Sequence, residues 1–152
     1  MVTSYVASYR EKIITLWATF LLGTLFHTQL GLMPLFHNQS VATPGADSTA
    51  EIGWILWLML IFFVMPMVAM IAPLFTHSSR YRTVHFGVTV FYSVMNFFHV
   101  VADLLVQPIQ WYQIALMVVL LLIGLLLNLV SWQWMRSPLH SKALRDHSAL
   151  NA

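Results

Sequence analysis

Four long apolar stretches, separated by short polar segments, dominate the chain. They cover about residues 13–36, 51–75, 84–106 and 111–135. A helix needs about 20 residues to cross a hydrocarbon core of about 30 Å, and each stretch meets that length. The pattern predicts an all-α fold, a four-span transmembrane helical bundle over residues 1–136, followed by a polar cytoplasmic tail over residues 137–152.

Three prolines fall inside the predicted spans. Pro34 is expected to loosen the last turn of the first span, and Pro66 and Pro73 are expected to kink the second. Proline removes a backbone donor from a helix, so a membrane helix tolerates it where neighbouring helices satisfy the freed groups.

The third span carries a polar stripe on one helical face. Its members follow one another at spacings of four, three, four, three and four residues: His85, Thr89, Tyr92, Asn96, His99 and Asp103. At about 100° per residue they fall within roughly 80° of arc. The opposite face is apolar: Val90, Val94, Phe98, Val101 and Leu105. Ionisable groups inside a bilayer are costly, which makes them functional candidates by default.

The basic residues predict the orientation of the bundle. All seven lie before the first span, between the second and third, or after the fourth: Arg10, Lys12, Arg80, Arg82, Arg136, Lys142 and Arg145. The positive-inside rule then places both termini in the cytoplasm or the stroma. An integral protein of a bacterial inner membrane or a thylakoid-type membrane fits this distribution.

Composition narrows the class further. The chain is 59% hydrophobic and 8% charged, whereas soluble domains carry about 25% charged residues. No basic run with interleaved aromatics suggests a nucleic-acid partner. The absence of cysteine excludes thiol chemistry and cysteine metal sites. The expected partners are the lipid bilayer and a larger membrane complex or further copies of the chain.

Several ionisable groups are predicted to meet in the outer half of the membrane. At 1.5 Å per residue, His27 lies roughly 21 Å and His99 roughly 22 Å from the inner surface, with Asp103 at roughly 28 Å. Glu51 and His37 lie near the outer ends of their spans. We therefore predict a metal site formed by His27, His99, Asp103 and Glu51, with His37 as a further candidate. Asp103 is either a ligand or a partner that fixes the His99 tautomer.

Imidazole and carboxylate ligands suit Zn, Fe, Mn or Cu, and the sequence does not distinguish among them. In an enzymatic version the metal polarises a substrate or a water molecule, and a lipid-like or quinone-like substrate enters from the side. No residue spacing here matches a named catalytic motif, so the sequence does not specify a reaction.

A tetrapyrrole is a second interpretation of the same histidines. Gly23 and Gly31 flank His27 at four residues on either side and allow close approach of another helix or of a flat macrocycle. His27 and His99 could then bind heme b, for electron transfer, or chlorophyll, for light harvesting.

A third interpretation is an accessory or assembly subunit whose polar stripe docks onto partner helices. Thr89 and Asn96 are expected to form interhelical hydrogen bonds of a purely structural kind. His85 is expected to be solvated near the inner interface, and the aliphatic fourth span is expected to face lipid or a partner.

Overall fold

The computed structural model describes residues 7–41, 52–76, 78–106 and 108–138. Its elements are four α-helices and one 3₁₀ helix: α1 (Tyr9–Leu32), the 3₁₀ helix (Met33–His37), α2 (Ile52–Phe75), α3 (Ser79–Leu105) and α4 (Trp111–Arg136). Each α-helix is long and apolar enough to span a membrane, which confirms the predicted all-helical, four-span class. Glu51 and residues 139–152 of the predicted tail lie outside the described residues.

Local signals set both ends of the first span. Ser8 and Glu11 form a capping box: the Ser8 side chain accepts from the Glu11 N–H, and the Glu11 carboxylate accepts from the Ser8 N–H at 2.7 Å. This pair starts α1 four residues before the apolar stretch begins. At the other end Pro34 lies in the 3₁₀ helix, where the α-helical pattern stops, as its sequence position predicts.

The third helix begins at Ser79, five residues earlier than its hydrophobicity predicts. Its first turns are polar, yet Arg82 is buried at 8% exposure. The Arg82 guanidinium donates from Nη1 to the carbonyl oxygens of Trp134, at 3.1 Å, and Ser137, at 2.9 Å. A cation at the C-terminal end of a helix satisfies its free carbonyls and its dipole. Arg82 thus joins the start of α3 to the end of α4.

The fourth helix lies at the centre of the packing. It contacts both α1 and α3, whereas α2 packs mainly on α1 and touches α3 at few positions. Eight residues of α4 are buried, against three of α2. One side of α4 therefore packs inside the bundle. Its other side, with Leu122, Leu125 and Leu126, is exposed, and its contact with lipid or a partner stays a prediction. Leu120 and Leu127, each 1% exposed, belong to the buried hydrophobic core.

The polar stripe of α3 faces the interior of the chain's own bundle. Four of its members are at most 5% exposed: His85, Thr89, Tyr92 and Asn96. The apolar face opposite is exposed, as the helical spacing predicts. Because α1 and α4 already cover the stripe, docking of partner helices onto these four residues is not supported.

The expectation that His85 is solvated is wrong. His85 is 1% exposed, and its Nε2 accepts a hydrogen bond from the Trp17 indole N–H at 3.0 Å. The ring also meets Trp134 edge-on, with the ring centroids 5.7 Å apart. Trp17 lies 68 residues away in the chain, so the partner that makes burial of His85 tolerable is not visible in the local sequence.

The two prolines of α2 are matched by two tyrosines of α3. In an α-helix the N–H of residue i bonds to the carbonyl of residue i−4, so Pro66 frees the carbonyl of Phe62 and Pro73 frees that of Ala69. The Tyr92 hydroxyl donates to the Phe62 carbonyl at 2.6 Å. The freed carbonyl of Ala69 likewise accepts a hydrogen bond from the Tyr81 hydroxyl, at 3.2 Å.

These two hydrogen bonds hold α2 beside α3, where the helices otherwise make few contacts. In both cases a neighbouring helix supplies the hydrogen-bond donor that the carbonyl loses to proline, as a proline in a membrane span requires.

Gly23 sets the close approach of α1 to α4, and its substitution is expected to destabilise the bundle. A methyl group at this position would lie 2.3 Å from Cδ2 of Leu120, which is itself buried. We expect Gly23→Ala to lower the free energy of unfolding by about 1–3 kcal/mol, the usual cost of overpacking. Denaturation in detergent micelles, followed by circular dichroism, measures this change.

The matched control is Gly87→Ala on α3. A methyl group there meets no atom within 4 Å, so the substitution should leave stability unchanged or slightly raise it through helix propensity. Equal effects of the two substitutions would contradict the packing described here.

Candidate metal centre

Three ionisable side chains converge near the end of the bundle opposite Arg82. His27 comes from α1, and His99 and Asp103 lie one turn apart on α3. Asp103 Oδ2 lies 3.8 Å from His27 Nε2, and Asp103 Oδ1 lies 3.6 Å from His99 Nε2. One ligand atom from each residue falls within 4.8 Å of the others. The structure thus brings together three of the four residues that the sequence predicts as metal ligands.

The spacing of these atoms suits a shared ion better than direct hydrogen bonds. Both histidine–aspartate distances exceed the range of ordinary hydrogen bonds. Two ligand atoms about 2.0–2.1 Å from a tetrahedral ion lie about 3.3–3.4 Å apart, slightly closer than the two histidine–aspartate pairs, which involve different oxygens of Asp103. With one ligand atom from each residue the separations reach up to 4.8 Å, so the three side chains would have to move closer together to bind one ion.

Two buried atoms of the cluster have no hydrogen-bond partner among the described residues. They are Asp103 Oδ2 and His27 Nδ1. A buried carboxylate oxygen without a donor is costly in a low-dielectric surrounding. A cation supplies the missing interaction for Asp103, and this is the physical argument that the residues present fit a metal ion. His99 is more open, with a side chain that is 52% exposed.

The geometry gives no support to heme b or chlorophyll as the ligand. In a bis-histidine heme the porphyrin plane passes between the two imidazoles. The His27 and His99 rings lie 5.3 Å apart by their centroids, and the Asp103 carboxylate is within 3.8 Å of both. Gly23 also has a packing role, because a Cβ at this position would lie 2.3 Å from Leu120 Cδ2 of α4.

Two other predicted residues are not part of this group. His37 lies exposed in the 3₁₀ helix and does not join the cluster. Glu51 lies outside the described residues, so its role as a ligand stays a prediction. Three protein ligands with room for a further one are typical of reactive rather than purely structural zinc sites.

A mostly apolar groove adjoins two of the three residues, His27 and His99. It encloses about 500 Å³ between α1, α2 and α3, and His27, Asn96 and His99 are among its lining residues. The sequence does not predict this groove. The interhelical hydrogen bond predicted for Asn96 is wrong, because neither polar atom of its amide has a hydrogen-bond partner among the described residues. The interhelical hydrogen bond predicted for Thr89 is also wrong, because its hydroxyl donates at 2.8 Å to the Phe86 carbonyl of the same helix.

Fold and site define an all-helical protein with four candidate membrane spans and a histidine–histidine–aspartate group that can hold a metal ion. Comparisons with protein-family models, with curated proteins and with solved structures find no match to this chain. Its function is therefore inferred from its own residues.

Proposed function

We propose that this is an integral membrane protein that binds one divalent transition-metal ion through His27, His99 and Asp103. The observation that carries the proposal is the convergence of these side chains from two helices to within 4.8 Å, with a carboxylate oxygen left buried and unpartnered. Glu51 is the predicted fourth ligand. With both termini in the cytoplasm, the site would lie in the outer half of the membrane.

The neighbourhood of the three residues favours a reactive role over a structural one. A bound metal ion would supply Lewis acidity to an oxygen placed at its free coordination position. The half-exposed His99 borders the groove, so a molecule in the groove can reach that position. We therefore propose a metal-dependent membrane enzyme acting on a lipid-like substrate.

Zinc binding by the detergent-purified, chelator-stripped protein tests the proposal. Equilibrium dialysis against Zn²⁺ followed by elemental analysis should give one bound ion per chain. The double variant His27→Ala/His99→Ala should bind none at the same zinc concentration, because one carboxylate alone holds a dication weakly. Circular dichroism of the same samples shows whether the helical fold is retained.

His37→Ala is the matched control, because it removes an exposed histidine that lies outside the cluster. It should keep one zinc ion per chain. Full zinc occupancy in the double variant, or its loss in the control, would show that the metal site is elsewhere.

A further inference from the structure

The groove beside His27 and His99 is mostly apolar with a few polar groups, which suits an apolar molecule that has one polar end. Its wall is largely formed by apolar side chains of α2 and α3, among them Met59, Phe62 and Met95. The hydroxyls of Thr24 and Thr28 also line it, but both donate to carbonyls of their own helix. The volume of about 500 Å³ lies within the range of small-molecule sites.

The groove is accessible from the side of the bundle. Helix α2 meets α3 at few positions, and the lining residues Leu58, Met59 and Phe91 are exposed in the isolated chain. In a bilayer these residues face the acyl chains. A molecule dissolved in the lipid can therefore enter between α2 and α3 without crossing water.

Asn96 is the exception in this apolar surrounding. It is 5% exposed, and neither its amide nitrogen nor its amide oxygen has a hydrogen-bond partner among the described residues. An unpartnered buried amide is costly, and a leucine of similar size would avoid that cost. Such a residue points to a ligand that completes its hydrogen bonds.

The position and chemistry of Asn96 define that ligand's polar group. Asn96 lies one helical turn before His99 and lines the same groove. Its terminal torsion is soft, so the amide can adjust its orientation to a group bound in the groove. A carboxamide donates and accepts at once, and a hydroxyl does the same. The complementary group is a hydroxyl.

We propose that the groove binds a single-chain lipid alcohol, with Asn96 hydrogen-bonded to its hydroxyl and the oxygen placed beside His99. Occupancy of the groove and selection by Asn96 need no metal, whereas delivery of the oxygen to a metal rests on the proposed function. Asn96 is then a positioning residue that distinguishes an oxygen-bearing chain from a plain hydrocarbon.

Photolabelling with two matched probes tests this assignment. One is a diazirine-bearing long-chain alcohol, and the other is the same diazirine alkane without the hydroxyl. Wild-type protein in detergent should be labelled about tenfold more by the alcohol at equal probe concentration, as expected for two added hydrogen bonds. Peptide mapping should place the label on groove residues of α2 and α3. Equal labelling by the two probes would overturn the proposal.

The variant Asn96→Leu should lose the preference for the alcohol while keeping the alkane labelling. Its unfolding temperature without probe should be unchanged or higher, because the substitution removes two unpartnered polar atoms. Asn96→Ala should show the same loss of preference, which covers the case that the leucine variant folds poorly. A preference retained in both variants, or a marked destabilisation by leucine, would assign Asn96 a structural role instead.

Asn128→Leu is the matched control. Asn128 lies on α4 and donates to the Ser93 hydroxyl at 2.9 Å, outside the lining of the groove. It should keep the tenfold preference. Repeating the labelling after metal removal separates the two proposals. The preference for the alcohol probe should persist in metal-free protein. A failure of the metal proposal would appear only in the zinc dialysis.

Discussion

Replacing Asp103 with alanine is expected to lower the zinc affinity by at least about 100-fold. The carboxylate is the only anionic member of the three-residue cluster, and it faces both histidines at 3.6–3.8 Å. Without it, two neutral imidazoles must hold a dication in a surrounding of low dielectric constant, where an uncompensated charge is strongly disfavoured. Even loss of a residue that only orients a ligand typically costs about 10–100-fold, so loss of a direct ligand should exceed that.

Unfolding experiments give a second measure of the same substitution. A ligand that binds only the folded state stabilises it by about 2.7 kcal/mol when its concentration is 100 times its Kd. Wild-type protein should gain this stability with zinc, because the ion joins α1 to α3, and Asp103→Ala should gain none under the same conditions. Glu11→Gln, at the far end of α1, should keep the zinc-dependent gain. A gain that survives in Asp103→Ala would remove Asp103 from the site.

The removal of one hydroxyl group, in Tyr92→Phe, is expected to lower the free energy of unfolding by about 1–3 kcal/mol. The change keeps the aromatic contacts of Tyr92 with Trp17 and Phe62. It removes the tyrosine donor to the Phe62 carbonyl. That carbonyl has no donor from its own helix either, because Pro66 has no N–H. An unsatisfied carbonyl in a partly buried, apolar surrounding carries that range of cost.

A double-mutant cycle with Pro66→Ala isolates this effect. Alanine restores the N–H that bonds to the Phe62 carbonyl, so Tyr92→Phe should cost less in the Pro66→Ala background. We expect a coupling free energy of about 1–2 kcal/mol, in the range seen for residues that share a partner. Tyr112→Phe, which removes an exposed hydroxyl, should change stability little. Additive effects of Tyr92→Phe and Pro66→Ala would contradict the pairing of proline and tyrosine.

The sequence predicts the spans and much of the candidate site for a simple physical reason. Span length and apolarity report directly on the thickness of the bilayer. Depth along a helix follows from a fixed rise per residue, so His27 and His99 could be placed at one level from their positions alone. The spacing of His99 and Asp103 on one helical face then brings the carboxylate to the same region, where the structure has it.

The sequence does not predict how the helices pack, because lipid and protein interiors are equally apolar. For that reason the aliphatic α4 could not be recognised as the central helix. Burial of His85 depends on a hydrogen bond from Trp17, which is distant in the chain, and the sequence around either residue does not predict this pairing. The freed carbonyl of Phe62 follows from Pro66 by the i−4 rule, whereas its donor, Tyr92, depends on the tertiary packing of α2 on α3.

X-ray absorption spectroscopy of the zinc-loaded protein tests the central claim most directly. The wild-type spectrum should show a shell of nitrogen and oxygen ligands at about 2.0–2.1 Å, with the outer scattering of two imidazole rings. In His99→Ala, any residual bound zinc should show one imidazole at most. A wild-type spectrum without two imidazoles, or a spectrum that His99→Ala leaves unchanged, would contradict a metal centre at His27, His99 and Asp103.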